Sequence, residues 1–518
     1  MYLNNKILVG KTKDNKELSI LLNKANRHGI ITGASGSGKT ISLKVMAESF
    51  SDAGVPVFFA DVKGDLGGCA VAGEDSENLR ERIEKLKLEG FDYKEYPVRF
   101  WDIYGKMGHP IRAKISDVGS SILAMMLGLT EVQEGVLEIV FRVAADEGYE
   151  LDDLKDLKSV LYYVGNNAKE YTVKYGNITS QSVGVIQRCI LTLEKQGGEN
   201  FFGKPALDIN DFIQNASDGR GVINILHAVE LFNSPDLYAS FLLWLLTELF
   251  NDMPEVGDLD KPKLVFFFDE AHLLFNGMPN YRLKQITQVV KLIRSRGIGL
   301  YFVSQSPSDI PDEISAQLGN RIQHTLRAYT PAEQRNVKAA ADSLRTNPKF
   351  NTAEAILALG TGEALVSFLN ENGEPEIVEK ATILPPQSKM GTIDEMTYNK
   401  IINASPFCGK YDELVEDESA YEIINLKVEE ANKKAEEERL AKEQAKKEEE
   451  ERKAQEREMK EQAKREKEEQ RAKEKEKREA EKAEKQSTSY RLKKKIVNST
   501  ENKLINKGLN AILKKLFK

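Results

Sequence analysis

Residues 33–40, GASGSGKT, combine the residue types and the spacing of a loop that binds phosphate. Gly33 is followed after four residues by Gly38, Lys39 and Thr40, which fits the pattern G-x-x-x-x-G-K-[ST]. The glycines allow the backbone to turn several N–H groups inward, so that they form a nest for an anion. A lysine here can reach the β- and γ-phosphates of a nucleotide, and a threonine can bind Mg²⁺.

The sequence on either side of this loop favours the same chemistry. An apolar strand is predicted over residues 29–32, and the helix that begins near Lys39 would point its positive end at the bound phosphates. The alternative is a loop rich in glycine and serine that fits the pattern by chance. The predicted phosphate-binding residues are Gly33, Ala34, Ser35, Gly36, Ser37, Gly38, Lys39, Thr40 and Ile41.

Two carboxylates, Asp269 and Glu270, directly follow the apolar run 263–268. In sites of phosphoryl transfer, one such carboxylate holds Mg²⁺ through water and the other orients the attacking water. We predict these roles for Asp269 and Glu270 respectively; the alternative is an ordinary pair of acids at a strand end. Gln305 ends the next strand, where its amide either senses the terminal phosphate and the attacking water or only caps the strand.

An arginine from a neighbouring subunit often stabilises the charge that develops during phosphoryl transfer. Arg294 and Arg296, in the segment IRSRGIG, are candidates for that role, and Arg321 and Arg327 are open alternatives. Arg296 stands just before a glycine, where it can instead compensate the dipole of the preceding helix. The sequence alone does not decide among the four.

Short apolar runs alternate with helical patterns through most of the chain. Uninterrupted apolar runs are typical of strands that are buried on both faces of a parallel sheet. The predicted fold class is therefore α/β, with a mostly parallel sheet and right-handed crossovers. Strands are predicted at 29–32, 55–60, 98–101, 221–226, 263–268, 299–303, 321–326, 364–369 and 377–383.

The charged stretch DVKGD follows the strand predicted at 55–60. Ligands of open α/β sheets bind at the carboxyl edge of the strands. Asp61 therefore either faces a ligand or caps the turn that follows its strand.

Two stretches depart from the α/β pattern. Residues 115–200 repeat apolar residues at helical spacing and are predicted to form a helical insertion. From 432 to 486 the chain is nearly all Glu, Lys, Arg, Ala and Gln, without the apolar seam of a coiled coil. Pairs at i,i+4, such as Glu438 with Lys442 and Glu443 with Lys447, favour an isolated helix by about 0.2–0.5 kcal/mol each. A long solvated helix is predicted here, with a disordered tail as the alternative.

The last residues have a different pattern. Residues 503–518 place apolar side chains on one helical face, with lysines beside it. Such a helix suits an anionic membrane surface or the groove of a protein partner, and packing on the core or on another subunit is equally open. A membrane or protein partner, if the chain has one, is expected to bind residues 490–518.

Composition excludes some classes of protein. The 518 residues carry a formal net charge of -7, which gives no global argument for binding nucleic acid, although a local basic channel is compatible with it. The three cysteines lie far apart, without the spacing of a zinc site or a disulfide framework. Together with the lack of a signal-peptide pattern, this predicts a cytoplasmic protein. The longest apolar run, 241–250, is expected to be a buried helix rather than a membrane span.

Several motifs together resemble the HerA-like branch of the FtsK–HerA P-loop ATPases. Within that branch, the sequence looks most similar to the bacterial YjgR-like proteins. We assign the resemblance to roughly residues 1–390 and place the tail from about 421 outside it. The motifs are GASGSGKT, DVKGDLGG, QGGENFFGKPALDI, LVFFFDEAH, IRSRGIGLYFVSQSPSDIP and QLGNRIQHTLRAYTPAEQ.

The resemblance implies a RecA-like core that uses ATP and Mg²⁺ and assembles as a hexameric ring that moves double-stranded DNA. It assigns phosphate and Mg²⁺ binding to Lys39 and Thr40. It makes Asp269 and Glu270 the metal-linked and catalytic acids. Gln305 becomes the polar sensor, and the arginine that acts in trans becomes Arg294 or Arg296.

The predicted function is an ATP-hydrolysing motor that translocates DNA. The alternative is an ATP-driven assembly or scaffold protein that does not act on DNA and associates with a membrane through its tail. The predicted organisation is an ATPase core in two parts (1–114 and 201–390), the insertion 115–200, a linker 391–430, the charged segment 431–486 and the basic amphipathic helix 487–518.

Overall fold

The structure, a computed structural model, describes residues 1–257 and 259–486. The chain divides into two compact units after Asn425. The first unit holds the sheet and all of the predicted site residues. The second begins at Leu426, within the long charged helix.

In the part of the chain that the structure describes, thirteen strands lie in one mixed sheet. In chain order they are β1 (Tyr2–Leu3), β2 (Lys6–Lys11), β3 (Glu17–Leu21), β4 (Gly29–Thr32), β5 (Val57–Asp61), β6 (Val98–Asp102), β7 (His109–Pro110), β8 (Ile223–His227), β9 (Leu264–Phe268), β10 (Ile298–Ser304), β11 (Asn320–Gln323), β12 (Glu363–Ser367) and β13 (Glu379–Ile383).

Helices connect and cover these strands. They are α1 (Lys39–Asp52), α2 (Glu77–Lys85), α3 (Ile115–Met126), α4 (Glu131–Glu147), α5 (Leu154–Asn166), α6 (Ala168–Tyr175), α7 (Ser180–Lys195), α8 (Gly198–Phe201), α9 (Pro235–Asp252), α10 (His272–Phe275), α11 (Asn280–Leu292), α12 (Asp312–Ser315), α13 (Pro331–Asp342), α14 (Thr352–Leu357), α15 (Glu395–Ala404) and α16 (Ala420–Gln486). Short 3-10 helices span Leu22–Arg27, Gly67–Ala70, Ile209–Phe212, Leu231–Asn233, Ile293–Arg296 and Pro307–Asp309.

The centre of the sheet is parallel, as predicted. Its strand order is β11-β4-β10-β9-β5-β8-β6-β7, and every neighbouring pair in that run is parallel. Antiparallel strands β12, β13, β2, β1 and β3 extend the sheet beyond β11. The prediction of an α/β fold with a mostly parallel sheet is confirmed, and the antiparallel extension accounts for the strands outside the crossover units.

Aromatic side chains explain why the central strands are covered on both faces. In β9 all five residues are buried, and Phe267 packs against Phe50 of α1, with ring centroids 6.5 Å apart. On the opposite face Phe266 stacks on Phe58 at 4.5 Å. A strand that is apolar at every position gains buried area on both faces, which is the pattern of a central parallel strand.

Strand register brings the ends of three strands to one edge of the sheet. Thr32, the last residue of β4, is paired with Ser304, the last residue of β10. Phe268, the last residue of β9, is paired with Phe302 on the other side of β10. The loops that follow these strands therefore meet at the carboxyl edge, where a parallel sheet binds its ligands.

Helices α3 to α8 occupy the range predicted as a helical insertion, and one of their contacts with the rest of the first unit is a partly buried ion pair. Arg282 of α11 donates to the Glu134 carboxylate of α4 at 2.7 Å, and Tyr281 donates to the same carboxylate at 2.6 Å. The apolar run 241–250 lies in α9 and is mostly buried, as expected. Along 1–257 and 259–486, no helix has the combination of length and apolar composition needed to cross a membrane.

The range assigned to a linker, 391–430, contains ordered structure. Helix α15 lies there, and the ring of its Tyr398 packs 4.3 Å from Phe100 of β6. Helix α16 begins at Ala420, earlier than the composition indicates, because Ser419 donates its backbone N–H to Glu422 at 3.0 Å and Tyr421 donates to Asp156 at 2.9 Å. The domain boundaries themselves stay predictions.

The charged segment is helical as far as Gln486. Two predicted pairs lie at ion-pair distance: Lys442 Nζ is 3.9 Å from Glu438 Oε2, and Lys447 Nζ is 3.4 Å from Glu443 Oε1. These pairs are exposed, so each adds only a few tenths of a kcal/mol, on the order of 0.3–0.5. The predicted amphipathic helix over 503–518 lies outside the described residues.

A buried histidine fixes the strand that carries the phosphate loop. His28 precedes β4; its Nδ1 accepts the N–H of Leu300 at 3.0 Å, and its Nε2 lies 2.8 Å from the carbonyl oxygen of Val290. This pattern needs the neutral ring with the proton on Nε2, because a protonated Nδ1 would face another donor. Burial lowers the pKa of His28 from its ordinary 6.5 to about 4.

We expect this histidine to make the free energy of unfolding depend on pH. A histidine whose pKa is lower in the folded state contributes stability above pH 6.5 that is lost as the pH falls from 6.5 towards 4. The loss amounts to at most about 3.5 kcal/mol for a shift of this size. Urea unfolding at a series of pH values should show that His28→Gln flattens this slope, and an unchanged slope would contradict the assignment. His324, whose pKa burial also lowers to about 4, contributes a slope of the same sign that His28→Gln leaves in place.

Candidate active site

The phosphate loop has the backbone that its glycines predict. Gly36 and Gly38 adopt φ values of +76° and +114°, in the region that favours glycine. A Cβ on Gly33 would lie 2.5 Å from the Cβ of His324, so that position also excludes a side chain by contact. Helix α1 then begins at Lys39, and its free N–H groups face the concave side of the loop.

Lys39 lies across this loop. It is 8% exposed, and its Nζ donates to the carbonyl oxygens of Gly33 at 2.5 Å and Ala34 at 3.2 Å. Burial lowers the pKa of Lys39, an effect that the nearby Glu270 carboxylate opposes. The lysine is thus a desolvated cation that backbone oxygens hold over the anion nest. Thr40, the next residue, is half-buried at the start of α1.

Strand β11 supports the loop from beneath through two residues that sequence reasoning did not single out. Thr32 Oγ1 donates to Gln323 Oε1 at 2.6 Å, and the N–H of His324 donates to the carbonyl oxygen of Thr32 at 2.7 Å. The His324 ring lies 2.9 Å from Ser42 Oγ in α1 and 2.9 Å from the carbonyl oxygen of Glu363. The motif QLGNRIQHTLRAYTPAEQ contains both residues, but no spacing rule assigns them this role.

Asp269 and Glu270 lie at the same edge of the sheet, at the end of β9. Each is 9% exposed. The hydroxyl of Tyr238 donates to the Asp269 carbonyl oxygen at 2.8 Å, and the Asp269 carboxylate accepts the N–H of Glu270 at 2.9 Å. Burial, and then the neighbouring Glu270 charge, raise the pKa of Asp269 to about 6. A bound cation would reverse that effect, as expected for a group that ligates metal.

Glu270 has the features of a residue held in place for function. Its φ is +47°, a conformation that costs a non-glycine residue about 1–3 kcal/mol. Its Oε2 atom is buried and has no hydrogen-bond partner among the described residues, although His272 Nδ1 lies 3.4 Å away. Backbone strain is typical of functional positions, and a buried acceptor without a hydrogen bond from the described residues indicates a partner other than the protein.

The turn after β5 brings a second cation to these carboxylates. The Asp61 carboxylate accepts backbone N–H groups of the turn, including that of Gly64 at 2.7 Å and that of Leu66 at 2.8 Å. Asp61 therefore caps this turn, and of its two interpretations this one agrees with the contacts. The turn places Lys63 Nζ 4.0 Å from Glu270 Oε1. The charge cluster in the sequence pointed to this edge, but it did not single out Lys63.

Gln305 lies close to the phosphate loop, immediately after β10, and is exposed. It lines an open cavity of about 420 Å³ together with Ala34, Ser35, His272 and Arg327. The structure thus brings together the phosphate loop, Asp269, Glu270 and Gln305, all of which the sequence placed at strand ends. The catalytic roles of these residues stay predictions.

The two candidate arginines lie elsewhere. Arg294 and Arg296 precede β10, whose seven residues separate them from the phosphate-loop edge by about 20 Å at 3.3 Å per residue. The Arg296 guanidinium donates to the carbonyl oxygen of Met253 and lies 4.8 Å from the ring centre of Phe250. Arg294 is exposed. Neither arginine serves the site of its own chain.

The other two arginines differ from each other. Arg321 is bound to its own chain, since its Nη2 donates to the carbonyl oxygen of Ser315 at 2.8 Å. Arg327 lines the cavity beside Ser35, so it is the one arginine of the four that lies next to the phosphate loop of its own chain.

The residues present fit a nucleotide with Mg²⁺. The cradle of glycines, the buried Ser37 Oγ that lacks a partner among residues 1–257 and 259–486, and the desolvated Lys39 provide space and donors for phosphate. Thr40 and Asp269 supply the oxygen ligands that Mg²⁺ prefers.

Together the fold and this site define a P-loop nucleoside triphosphatase core of RecA-like type. A family model described as "Helicase HerA-like C-terminal" matches residues 6–513, and the chain therefore belongs to that family. The match continues through the charged tail, so our assignment of the resemblance to residues 1–390 was too short. The tail repeats a few residue types and offers no chemical motif by which to recognise it.

Two archaeal proteins with similar sequences are consistent with this family membership. The protein named "DNA double-strand break repair helicase HerA" of Saccharolobus solfataricus is 23% identical over 363 residues, which cover 69% of this chain and 64% of that protein. The protein of the same name from Sulfurisphaera tokodaii is 22% identical over 355 residues, which cover 68% of this chain and 64% of that protein. The match thus spans less than two thirds of the length of these relatives.

Two solved structures of bacterial proteins superpose on part of this chain. The conjugative coupling protein TrwB superposes with a TM-score of 0.48 at 13% identity, covering 70% of this chain and 86% of TrwB. VirB4 of Thermoanaerobacter pseudethanolicus also gives 0.48, at 15% identity, covering 74% of this chain and 97% of VirB4.

Proposed function

We propose that this chain is an ATP-hydrolysing motor that moves double-stranded DNA as a homo-oligomeric, hexameric ring. The main support is Glu270, a buried carboxylate on a strained backbone that lies at the same sheet edge as the phosphate loop. Nucleotide binding alone does not require such a residue, whereas hydrolysis does. Membership of the HerA-like helicase family supports DNA as the polymer.

In this proposal each residue of the site has one task. The backbone of residues 33–38 and the Lys39 ammonium hold the phosphates, and Thr40 and Asp269 hold Mg²⁺, which neutralises charge on the phosphate oxygens. Glu270 orients water and accepts its proton through the buried Oε2 atom, which accepts no hydrogen bond from the described residues. The side-chain N–H of Gln305 donates a hydrogen bond to that water. Positioning and charge neutralisation are the main contributions to phosphoryl transfer.

A ring would explain the position of Arg294. Because it lies at the edge of the sheet opposite the phosphate loop and is exposed, it can complete only the site of a neighbouring chain. Arg296 is a poor candidate, since its guanidinium already contacts Met253 and Phe250.

We expect Arg294→Ala to lower the ATPase rate at least tenfold and to leave nucleotide affinity nearly unchanged, because the arginine stabilises only the developing charge. Mixing this variant with Lys39→Met should restore part of the rate, since a Lys39→Met subunit still supplies Arg294 to its neighbour's intact site. Arg296→Ala should lower the melting temperature instead. Absence of any recovery in the mixture would contradict a role in trans.

The central experiment measures the ATPase rate with and without double-stranded DNA on protein of known oligomeric size. We expect DNA to stimulate the rate and Glu270→Gln to remove both the basal and the stimulated activity. Hydrolysis that is indifferent to DNA, with localisation lost when residues 490–518 are removed, would instead support the assembly ATPase. No hydrolysis under any condition would refute both.

A further inference from the structure

Lys63 is a charged side chain beside Glu270 to which the proposed mechanism gives no task. It belongs to the turn 61–66, which the Asp61 carboxylate fixes through the N–H groups of Gly64 and Leu66. Gly64, at φ +72°, adopts a conformation that favours glycine. The Lys63 backbone is therefore held firmly, while its side chain is 51% exposed.

The ammonium of Lys63 lies at the catalytic carboxylate. Its Nζ is 4.0 Å from Glu270 Oε1, at the outer limit of an ion pair. Because the lysine is half-exposed, this pair contributes little stability of its own. Lys63 can therefore leave Glu270 at small cost when a stronger anion is within its reach.

The terminal phosphate of a bound nucleotide would be such an anion, because Glu270 must lie close to it in order to orient the attacking water. A residue that orients water for attack lies one water molecule away from the terminal phosphate. An ammonium beside that carboxylate is consequently within one side-chain rotation of the same phosphate. Lys63 also lies near enough to Lys39 and Asp269 that its positive charge acts to lower the pKa of both.

We infer that Lys63 is a positioning residue that distinguishes nucleoside triphosphate from diphosphate. It pairs with Glu270 until a terminal phosphate competes for its ammonium, and the exchange releases the carboxylate to orient water. The inference rests on the proposed ATPase function. It implies that the resting site restrains its own Glu270, and that the terminal phosphate removes the restraint.

The test compares Lys63→Met with the wild-type chain, using a non-hydrolysable ATP analogue and ADP in binding titrations. We expect Lys63→Met to bind the triphosphate about 5- to 10-fold more weakly, the size of effect expected for one lost charge-assisted contact. ADP affinity should not change. Lys63→Arg should keep the preference for triphosphate, and kcat should fall about tenfold in Lys63→Met with KM raised.

A second comparison separates positioning from a structural role. Glu270→Gln removes the competing carboxylate, so it should strengthen triphosphate binding when Lys63 is present and have no such effect in the Lys63→Met background. Lys106→Met is the matched control, because Lys106 forms an exposed pair with Glu230 at 2.7 Å. This control should behave as the wild type.

Three results would overturn or redirect the inference. Equal weakening of ATP-analogue and ADP binding would show that Lys63 only supports the fold of the turn. Unchanged binding and unchanged kcat would show that it has no role. If the wild-type chain itself binds neither nucleotide, the proposed function fails, and that result is distinguishable from failure of the Lys63 inference alone.

Discussion

Glu270→Gln will lower kcat for ATP hydrolysis by about 10²- to 10⁴-fold, the usual range for loss of a group that accepts a proton in the transition state. Glutamine keeps the shape of the side chain, but its amide cannot take the proton from water. The buried Oε2 atom accepts no hydrogen bond from the described residues, and a glutamine side chain can still lie beside His272 Nδ1, which is 3.4 Å away. We therefore expect the melting temperature to change little and nucleotide binding to be retained, with triphosphate bound at least as tightly as by the wild type, and single-turnover kinetics to locate the defect in the chemical step.

Glu230→Gln is the control for this experiment, because Glu230 is a half-exposed carboxylate that pairs with Lys106. Its kcat should stay within a factor of two of the wild type. A Glu270→Gln protein that retains a tenth or more of the wild-type rate would show that another residue activates the water.

Lys39→Met will abolish measurable turnover and weaken nucleotide binding by at least tenfold. The side chain supplies a desolvated cation to the phosphates, and the loss of one such contact typically costs 10²- to 10³-fold in kcat. Methionine has a similar length without the charge. Because burial lowers the pKa of Lys39, the charged form is held at an energetic cost, and its removal should leave the melting temperature equal or higher.

This combination of lost activity and retained stability is the distinguishing result, and differential scanning fluorimetry with and without nucleotide measures both parts. Lys16→Met, which removes an exposed lysine near Glu379, should leave binding and turnover unchanged. Nucleotide-induced stabilisation that persists in Lys39→Met would show that the loop backbone alone holds the phosphates.

The sequence predicted the strands and the phosphate loop because their signals are local. Uninterrupted apolar runs such as 264–268 have few other stable solutions than a central strand, and the glycine spacing of residues 33–38 constrains the backbone directly. The register of β10 against β4 and β9 was not predicted, but the loops that carry the site residues follow strands expected to be parallel, and the carboxyl ends of parallel strands lie at one edge of the sheet. This is why Asp269, Glu270 and Gln305 could be placed together in advance.

Other features depend on contacts between residues far apart in the chain. His324 supports the phosphate loop through Thr32 and Ser42, and no spacing in the sequence records that contact. The position of Arg294 at the far edge of the sheet follows from strand direction, whereas the engagement of Arg296 with Met253 needs the packed structure. Helix α15 was assigned to a linker because its burial depends on a distant strand, β6.

The placement of β10 between β4 and β9 has a mechanical consequence. Two hydrogen-bonded strand spacings, about 10 Å in all, fix the separation between the phosphate loop and the acidic pair, and a twisted sheet core resists shear. The phosphate loop and the acidic pair are therefore both attached to the same rigid sheet. A conformational change driven by ATP hydrolysis must therefore occur in segments attached to the edge of the sheet. Two such segments are the one that leads from Glu270 into α11 and the loop that begins at Gln305. Labels for distance measurements are best placed on these parts, with reference labels on the sheet itself.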